Sequence, residues 1–304
     1  MNRIELTADE SGVRIDKYLS EKTDLSRSRI QGLCEEGKIL ADGKPAKSSL
    51  KLTEGMVLSA EVPEDEPLDV AAEAIPLDIL YEDADIIVIN KPKGMVVHPA
   101  AGVHSGTLVN ALLYHCKDLS GINGVLRPGI VHRIDKDTTG CIVACKNDNA
   151  HRAIAAQLEN KTCHREYLAL CDGIIDHDEG LIDAPIGRDP KDRKKMTVID
   201  KNAKPARTFF TVKERFSNNT LVDCRLETGR THQIRVHMSY IHHPVTGDIV
   251  YGAPCRRMDT QGQTLHAYRL SLVHPTTGET MTFEAPLPDY FRQLLELLRS
   301  EDAE

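Results

Sequence analysis

The 304-residue chain has no run of eighteen apolar residues, and its opening, Met1-Asn2-Arg3-Ile4-Glu5-Leu6, lacks the apolar stretch of a secretion signal. A membrane-spanning helix and an exported precursor are both excluded on that reading, so a cytoplasmic protein with no membrane role is expected. Eight cysteines, at 34, 116, 141, 145, 163, 171, 224 and 255, form no C-x-x-C pair. A zinc ribbon or thioredoxin-type motif is therefore not expected, and reduced, packed thiols are. No P-loop is present, and Gly102-Val103-His104-Ser105-Gly106 fails as a serine-hydrolase elbow. His237, His242 and His243 crowd together without an H-E-x-x-H arrangement or a carboxylate spaced as third ligand, so hydrogen-bonded histidines are expected there and no metal. Nor does any repeat of fixed period appear.

Lys and Arg are missing altogether from residues 61 to 85, which hold ten acids. The formal net charge is -8, so removing that segment leaves the rest of the chain at +2. An acidic total argues against a nucleic-acid partner, but steering depends on the local field, and a basic face can coexist with an acidic connector. Apolar residues at 40% and charged residues at 28% are ordinary for a globular chain.

The length favours a large domain with a small companion. Residues 13 to 62 read as the companion. Ser26 can cap a helix whose apolar positions Ile30, Leu33 and Cys34 fall three and four apart, with Leu25 as a staple and Gly37 at its end. Short β-like pieces follow around 39 to 41 and 56 to 62, joined through the turn signals Asp42-Gly43 and Glu54-Gly55. Residues 63 to 76 read as an acidic linker, and the large domain runs from Leu77. There, Ile86-Ile87-Val88-Ile89 and Cys141-Ile142-Val143-Ala144-Cys145 read as buried strands, 148 to 159 and 289 to 299 as helices, and 206 to 226 as alternating strands. Strands dominate with irregularly placed helices, which predicts an α+β fold with a mixed or mainly antiparallel sheet.

Two polar segments carry candidate chemistry. Arg127 to Gly140 reads as a loop held by the strand after it, the usual setting for reactive groups, with Asp137 or Thr138 as alternative organisers of a turn. Leu226 to His237 puts Arg230 and Arg235 beyond a strand, and a helix starting at Thr231 would set His232, Arg235 and Val236 on neighbouring turns. By composition alone, a turn and an amphipathic helix explain both. The interval from Arg188 to Arg207 holds eight cations, among them Lys194, against three acids. It is a candidate for phosphate contact.

The order of motifs says more. V-R-I-D-K-Y-L-S, L-S-R-S-R-I-Q, E-E-G-K-I-L-A-D-G-K and L-T-E-G-M resemble an S4 RNA-binding domain over about fifty residues. H-R-I-D-K-D-T-T-G at 132 to 140 resembles the signature of the RluA family of RNA pseudouridine synthases. N-K-P-K-G-M-V-V-H-P at 90 to 99, R-E-Y-L-A-L at 165 to 170, G-R-T-H-Q-I-R-V-H at 229 to 237 and H-P-V-T-G-D-I-V-Y-G at 243 to 252 appear in the family's order. Within that family the chain is most similar to the large-subunit ribosomal RNA synthases of the D type. Arg165 stands where relatives often carry lysine.

The resemblance implies a pseudouridine synthase domain over 77–304 behind an S4-like domain over 1–62. It implies isomerisation of specific uridines in structured RNA, with large-subunit ribosomal RNA as the expected partner, no cofactor and no obligate protein partner. The catalytic aspartate maps to Asp135, the active-site tyrosine to Tyr167 and the carboxylate-pairing arginine to Arg230. Arg133, with His132 beside it, is placed to displace the target base. Arg14, Arg27, Arg29 and Lys194 are expected on the RNA backbone. The competing readings are a non-catalytic S4-type ribosome-assembly factor and an N-glycosidase that releases the base.

Overall fold

The computed structural model describes residues 2–23, 25, 27–62, 70–99, 102–122, 127–192 and 195–303, leaving aside the side chains of Asn2, Arg3 and residues 27–29. The chain divides into two units, Met1–Leu68 and Asp69–Glu304.

The first unit runs β1 (Asn2–Thr7), α1 (Ile15–Lys22), α2 (Arg27–Glu35), β2 (Ile39–Ala41), β3 (Lys44–Pro45) and β4 (Val57–Val62). Its antiparallel sheet has the order β1-β4-β2-β3, so a strand not anticipated from the sequence, β1, lies along β4. The anticipated helix positions are right: Ile30, Leu33 and Cys34 are buried against Ile15, Leu19, Ile39 and Leu58. Asp42 and Gly43 both have positive φ, 48° and 76°. That is what a two-residue hairpin turn requires, and the Asp42 carboxylate locks it by accepting from the Val57 N–H at 2.9 Å.

The second unit contains β5 (Ile79–Glu82), β6 (Ile86–Lys91), α3 (Leu108–His115), β7 (Thr139–Cys145), α4 (Asp148–Glu159), β8 (His164–Asp172), β9 (Glu179–Asp183), β10 (Ile186–Arg188), β11 (Met196–Val198), β12 (Arg207–Arg215), β13 (Asn219–Leu226), α5 (Gln233–Tyr240), β14 (Leu265–Val273), β15 (Thr280–Glu284) and α6 (Asp289–Asp302). Eight strands lie in the order β5-β6-β7-β14-β8-β13-β12-β9, and β15 takes over from β7 along β14. Every pairing in this sheet is antiparallel except the short contact of β7 with β14, which makes the fold α+β with a mainly antiparallel sheet. That contact needs Gly140: a Cβ there would lie 2.2 Å from the Ala267 carbonyl oxygen.

Both faces of the central strands are covered, which is why β6 and β7 are apolar without alternation. Ile87, Ile89, Ile142, Ala144, Tyr167 and Ala169 point to the face that receives α3 and α5. Ile86, Val88, Cys141 and Val143 point to the other, under α4. Residues 70–75, assigned to the linker on composition, are packed on α3 instead. Val70 is buried, Asn110 Nδ2 donates to the Ala71 carbonyl at 2.8 Å, and the Glu73 N–H donates to the Asn110 carbonyl at 2.9 Å. Their backbone polar groups find partners in the fold, as a solvated connector's would not.

Candidate active site

Three elements converge on the face of the sheet that carries α5: the loop 131–138 entering β7, the start of β8, and the turn from β13 into α5. They line a pocket, open to solvent, that includes Arg133, Asp135, Arg165, Tyr167, Arg230 and Arg235.

The loop is fastened from beneath. Lys91, wholly buried at the end of β6, donates to the carbonyls of Pro92 at 2.7 Å, Met95 at 2.9 Å and Lys136 at 3.0 Å. An ammonium has three N–H donors, so these acceptors use all of them, and one fixes the residue after Asp135. Burial pushes Lys91 down to about 7, opposed by the charges of Asp137 and Asp135. The three carbonyls favour the ammonium further.

Asp135 faces the pocket with its side chain 16% exposed, and Arg235 Nη1 donates to its Oδ2 at 3.1 Å. The same guanidinium grips the fully buried Asp248, through Nε to Oδ2 at 2.6 Å and Nη2 to Oδ1 at 2.9 Å. Asp248 also accepts the Val250 and Tyr251 N–H groups on its Oδ1. Burial opposes the charge on Arg235, but the hydrogen bonds and charges of Asp248 and Asp135 outweigh it and raise the pKa above the ordinary arginine value. Two carboxylates with a planar fork between them fix the direction of Asp135 in a way a single ion pair does not.

The arginine paired with Asp135 is thus Arg235, not Arg230. The chain turns tightly before α5, with His232 in the left-handed region at φ 58° and Gln233 Oε1 accepting the Arg230 N–H at 3.0 Å. Arg230 therefore lies outside the helix, lines the pocket edge, and donates through Nε to the Pro205 carbonyl at 3.0 Å. Arg235, in the first turn of α5, points at Asp135.

Tyr167 is where the motif puts it, on β8 and 5% exposed, with burial pushing its phenol up to about 12. Arg133 is exposed and lines the pocket. His132 departs from its expected substrate-binding role. Its Nε2 accepts the Val143 N–H at 3.1 Å, its Nδ1 is buried, and burial together with the Arg165 charge pushes its pKa down to about 3. It stays neutral and braces the loop against β7, because the residue before Arg133 points to the opposite side of an extended backbone.

His232 was named from sequence only as a position on a helix face, and Tyr251 was not singled out. His232 Nε2 lies 3.9 Å from Asp135 Oδ1, its Nδ1 is 2.8 Å from the Tyr251 hydroxyl, and that hydroxyl accepts the Met196 N–H at 2.9 Å. Burial lowers the His232 pKa, with Asp135 opposing. The β10–β11 hairpin, whose loop carries the basic interval, is in this way tied to the pocket. Arg14 donates to Asp16 from Nε at 3.0 Å and Nη2 at 2.9 Å while remaining 44% exposed. The side chains of Arg27 and Arg29, and all of Lys194, lie outside the described residues.

Comparison with known proteins agrees with this geometry. Residues 85–240 match the RNA pseudouridylate synthase family and residues 13–58 the S4 domain. An uncharacterised RNA pseudouridine synthase of Bacillus subtilis is 55% identical, covering 98% of this chain and 99% of that protein. The ribosomal large subunit pseudouridine synthase D of Neisseria meningitidis serogroup A is 46% identical over 99% of this chain and 83% of its own length. Human RNA pseudouridylate synthase domain containing 4 superposes with a TM-score of 0.58 at 25% identity, covering 73% of this chain and 92% of that one. Among described residues no helix is long and apolar enough to cross a membrane. With an ion-paired aspartate and a buried tyrosine lining one pocket, and relatives matched over nearly the whole of this chain, the chain belongs to the RNA pseudouridine synthase family.

Proposed function

We propose that this enzyme isomerises specific uridines of large-subunit ribosomal RNA in the cytoplasm, with Asp135 acting on the ribose, Arg235 aiming Asp135, and Tyr167 walling the base. The observation that carries the reading is the chain Asp135–Arg235–Asp248 opening onto a pocket that Tyr167 shares. The carboxylate either bonds to C1′ or removes the 2′ proton. In both routes the C1′–N1 bond breaks, and its electron pair leaves with uracil. The base turns and C5 bonds to C1′ as the carboxylate leaves C1′ or returns the proton to C2′; the C5 proton is lost and N1 is protonated, so substrate and product are isomers and no oxidant or nucleotide is consumed. A phenol raised to about 12 stays protonated at neutral pH, which suits Tyr167 to packing against the ring rather than to proton abstraction.

A uridine stacked in folded RNA must be everted to reach this pocket. The exposed Arg133 at its mouth is placed to fill the gap. The S4 domain, with Arg14, Arg27 and Arg29, and the basic hairpin loop that includes Lys194, supply sequence-tolerant phosphate contacts. The test is incubation of the purified protein with large-subunit RNA from a strain lacking the gene, followed by carbodiimide labelling and mass spectrometry. New pseudouridine without release of free uracil is expected. No new mark overturns the reading, and free uracil in its place identifies an N-glycosidase.

A further inference from the structure

One charged group in the pocket has no counterpart. Arg165 is 9% exposed, its Nε is buried without a hydrogen-bond partner, and no described carboxylate pairs with it. Taking a guanidinium out of water without compensation is costly, and structures retain such groups where a ligand supplies the missing charge. The other arginines differ: Arg235 is saturated by two carboxylates, Arg133 is exposed, and Arg230 is bonded to a backbone carbonyl. The space for the Arg165 head is also built. A Cβ on Gly229 would lie 2.6 Å from Arg165 Nη1, and Gly229 does not have positive φ, so its lack of a side chain serves this contact rather than a turn.

Position identifies the partner. Arg165 and Tyr167 are i and i+2 on β8, so they share a face and their Cα atoms are about 7 Å apart. A base lying against Tyr167 brings its edge to Arg165. RNA phosphates stay at the mouth, where the exposed Arg133 waits. The charge that forms at this depth is the one created when C1′–N1 breaks: the electron pair passes to N1 and spreads onto O2 and O4 of the departing uracil. We propose that Arg165 is a catalytic residue that holds uracil as its anion between bond breaking and rejoining, and that Gly229 exists to seat it. This rests on the isomerase reading above.

The test is single-turnover consumption of a target RNA carrying either uridine or 5-fluorouridine at the modified position, read by nucleoside chromatography as loss of the starting nucleoside, because a C5–F carbon has no proton to lose and the fluorinated base stops at the rejoined 5-fluoro species. Fluorine stabilises the departing anion, so it substitutes for part of what Arg165 supplies. Arg165→Gln is expected to slow uridine conversion about 100- to 1,000-fold, with RNA affinity and melting temperature near wild type and a deficit on 5-fluorouridine at least about tenfold smaller. Arg165→Lys should fall between the two. Gly229→Ala, which displaces only the end of a flexible side chain, should reproduce the Gln pattern in weaker form and guards against a folding artefact. An equal deficit on both bases with weakened affinity would assign Arg165 to a phosphate and overturn the proposal, as would unchanged rates. Wild-type protein inert on both RNAs would instead remove the isomerase reading itself.

Discussion

The two units each hold an arginine gripping a fully buried aspartate through two bonds, Arg14 on Asp16 and Arg235 on Asp248. Arg14 keeps 44% of its side chain exposed, and Gln31 Nε2 shares Asp16 at 2.9 Å. Arg235 is 6% exposed and spends a further donor on Asp135. Water screens the first pair, so it organises a helix start while leaving the cation open to solvent. The second pair is shielded, so its geometry is stiff and its loss expensive. The same side-chain pairing thus leaves a partly exposed cation in one place and a firmly held pocket carboxylate in the other.

That contrast fails or sharpens under five measurements. Asp135→Asn removes the charge that Arg235 aims and should lower turnover at least about 10,000-fold in a pseudouridine assay with RNA binding intact; activity near wild type would remove Asp135 from the chemistry. Arg235→Ala leaves Asp248 buried and uncompensated. A loss of roughly 3–5 kcal/mol in denaturant unfolding is expected, together with a turnover deficit of about 1,000-fold. Deleting residues 1–62 should weaken RNA affinity about 100-fold and flatten its salt dependence, while the rate on saturating RNA persists; affinity unchanged across several salt concentrations would separate the S4 unit from binding. Arg230→Ala, in the position the motif alone favours, should cost less than about tenfold in turnover, and a deficit matching that of Arg235→Ala would show that the pairing switches between them. Smallest is Arg14→Ala, for which calorimetry should find about 1 kcal/mol or less; a loss as large as that of Arg235→Ala would erase the difference between the two pairs.

Much of the fold was legible because it is written in local pattern. The helix at 148 to 159 and the strands within 206 to 226 follow from apolar period, and the doubly buried β6 from its unbroken apolar run. β1 escaped, since Ile4 and Leu6 are only half-buried and the strand exists through pairing with β4, some fifty residues away. Residues 70–75 escaped because they follow directly on an acidic stretch with prolines at 63 and 67 and show no apolar period of their own, so they were grouped with it as linker. At the site, Asp135 and Tyr167 stand in motifs whose neighbours specify them. Arg230 and Arg235 share one motif, and which of them faces Asp135 depends on where α5 begins. A clue was present in Asp248: a buried carboxylate needs a cation, and Arg235 is the one in the first helical turn.

Residue order by itself determined the family, the two-unit plan, the strand-rich class and the motif that brings Asp135 to the pocket, because each is encoded in short-range periodicity or in contiguous motifs. Only the tertiary structure decided which arginine aims Asp135, that His132 braces rather than binds, and that Arg165 sits buried without a counter-charge. Those outcomes depend on directions and distances between segments about a hundred residues apart, set by how β8, α5 and the 131–138 loop close over one another, and no local pattern records them.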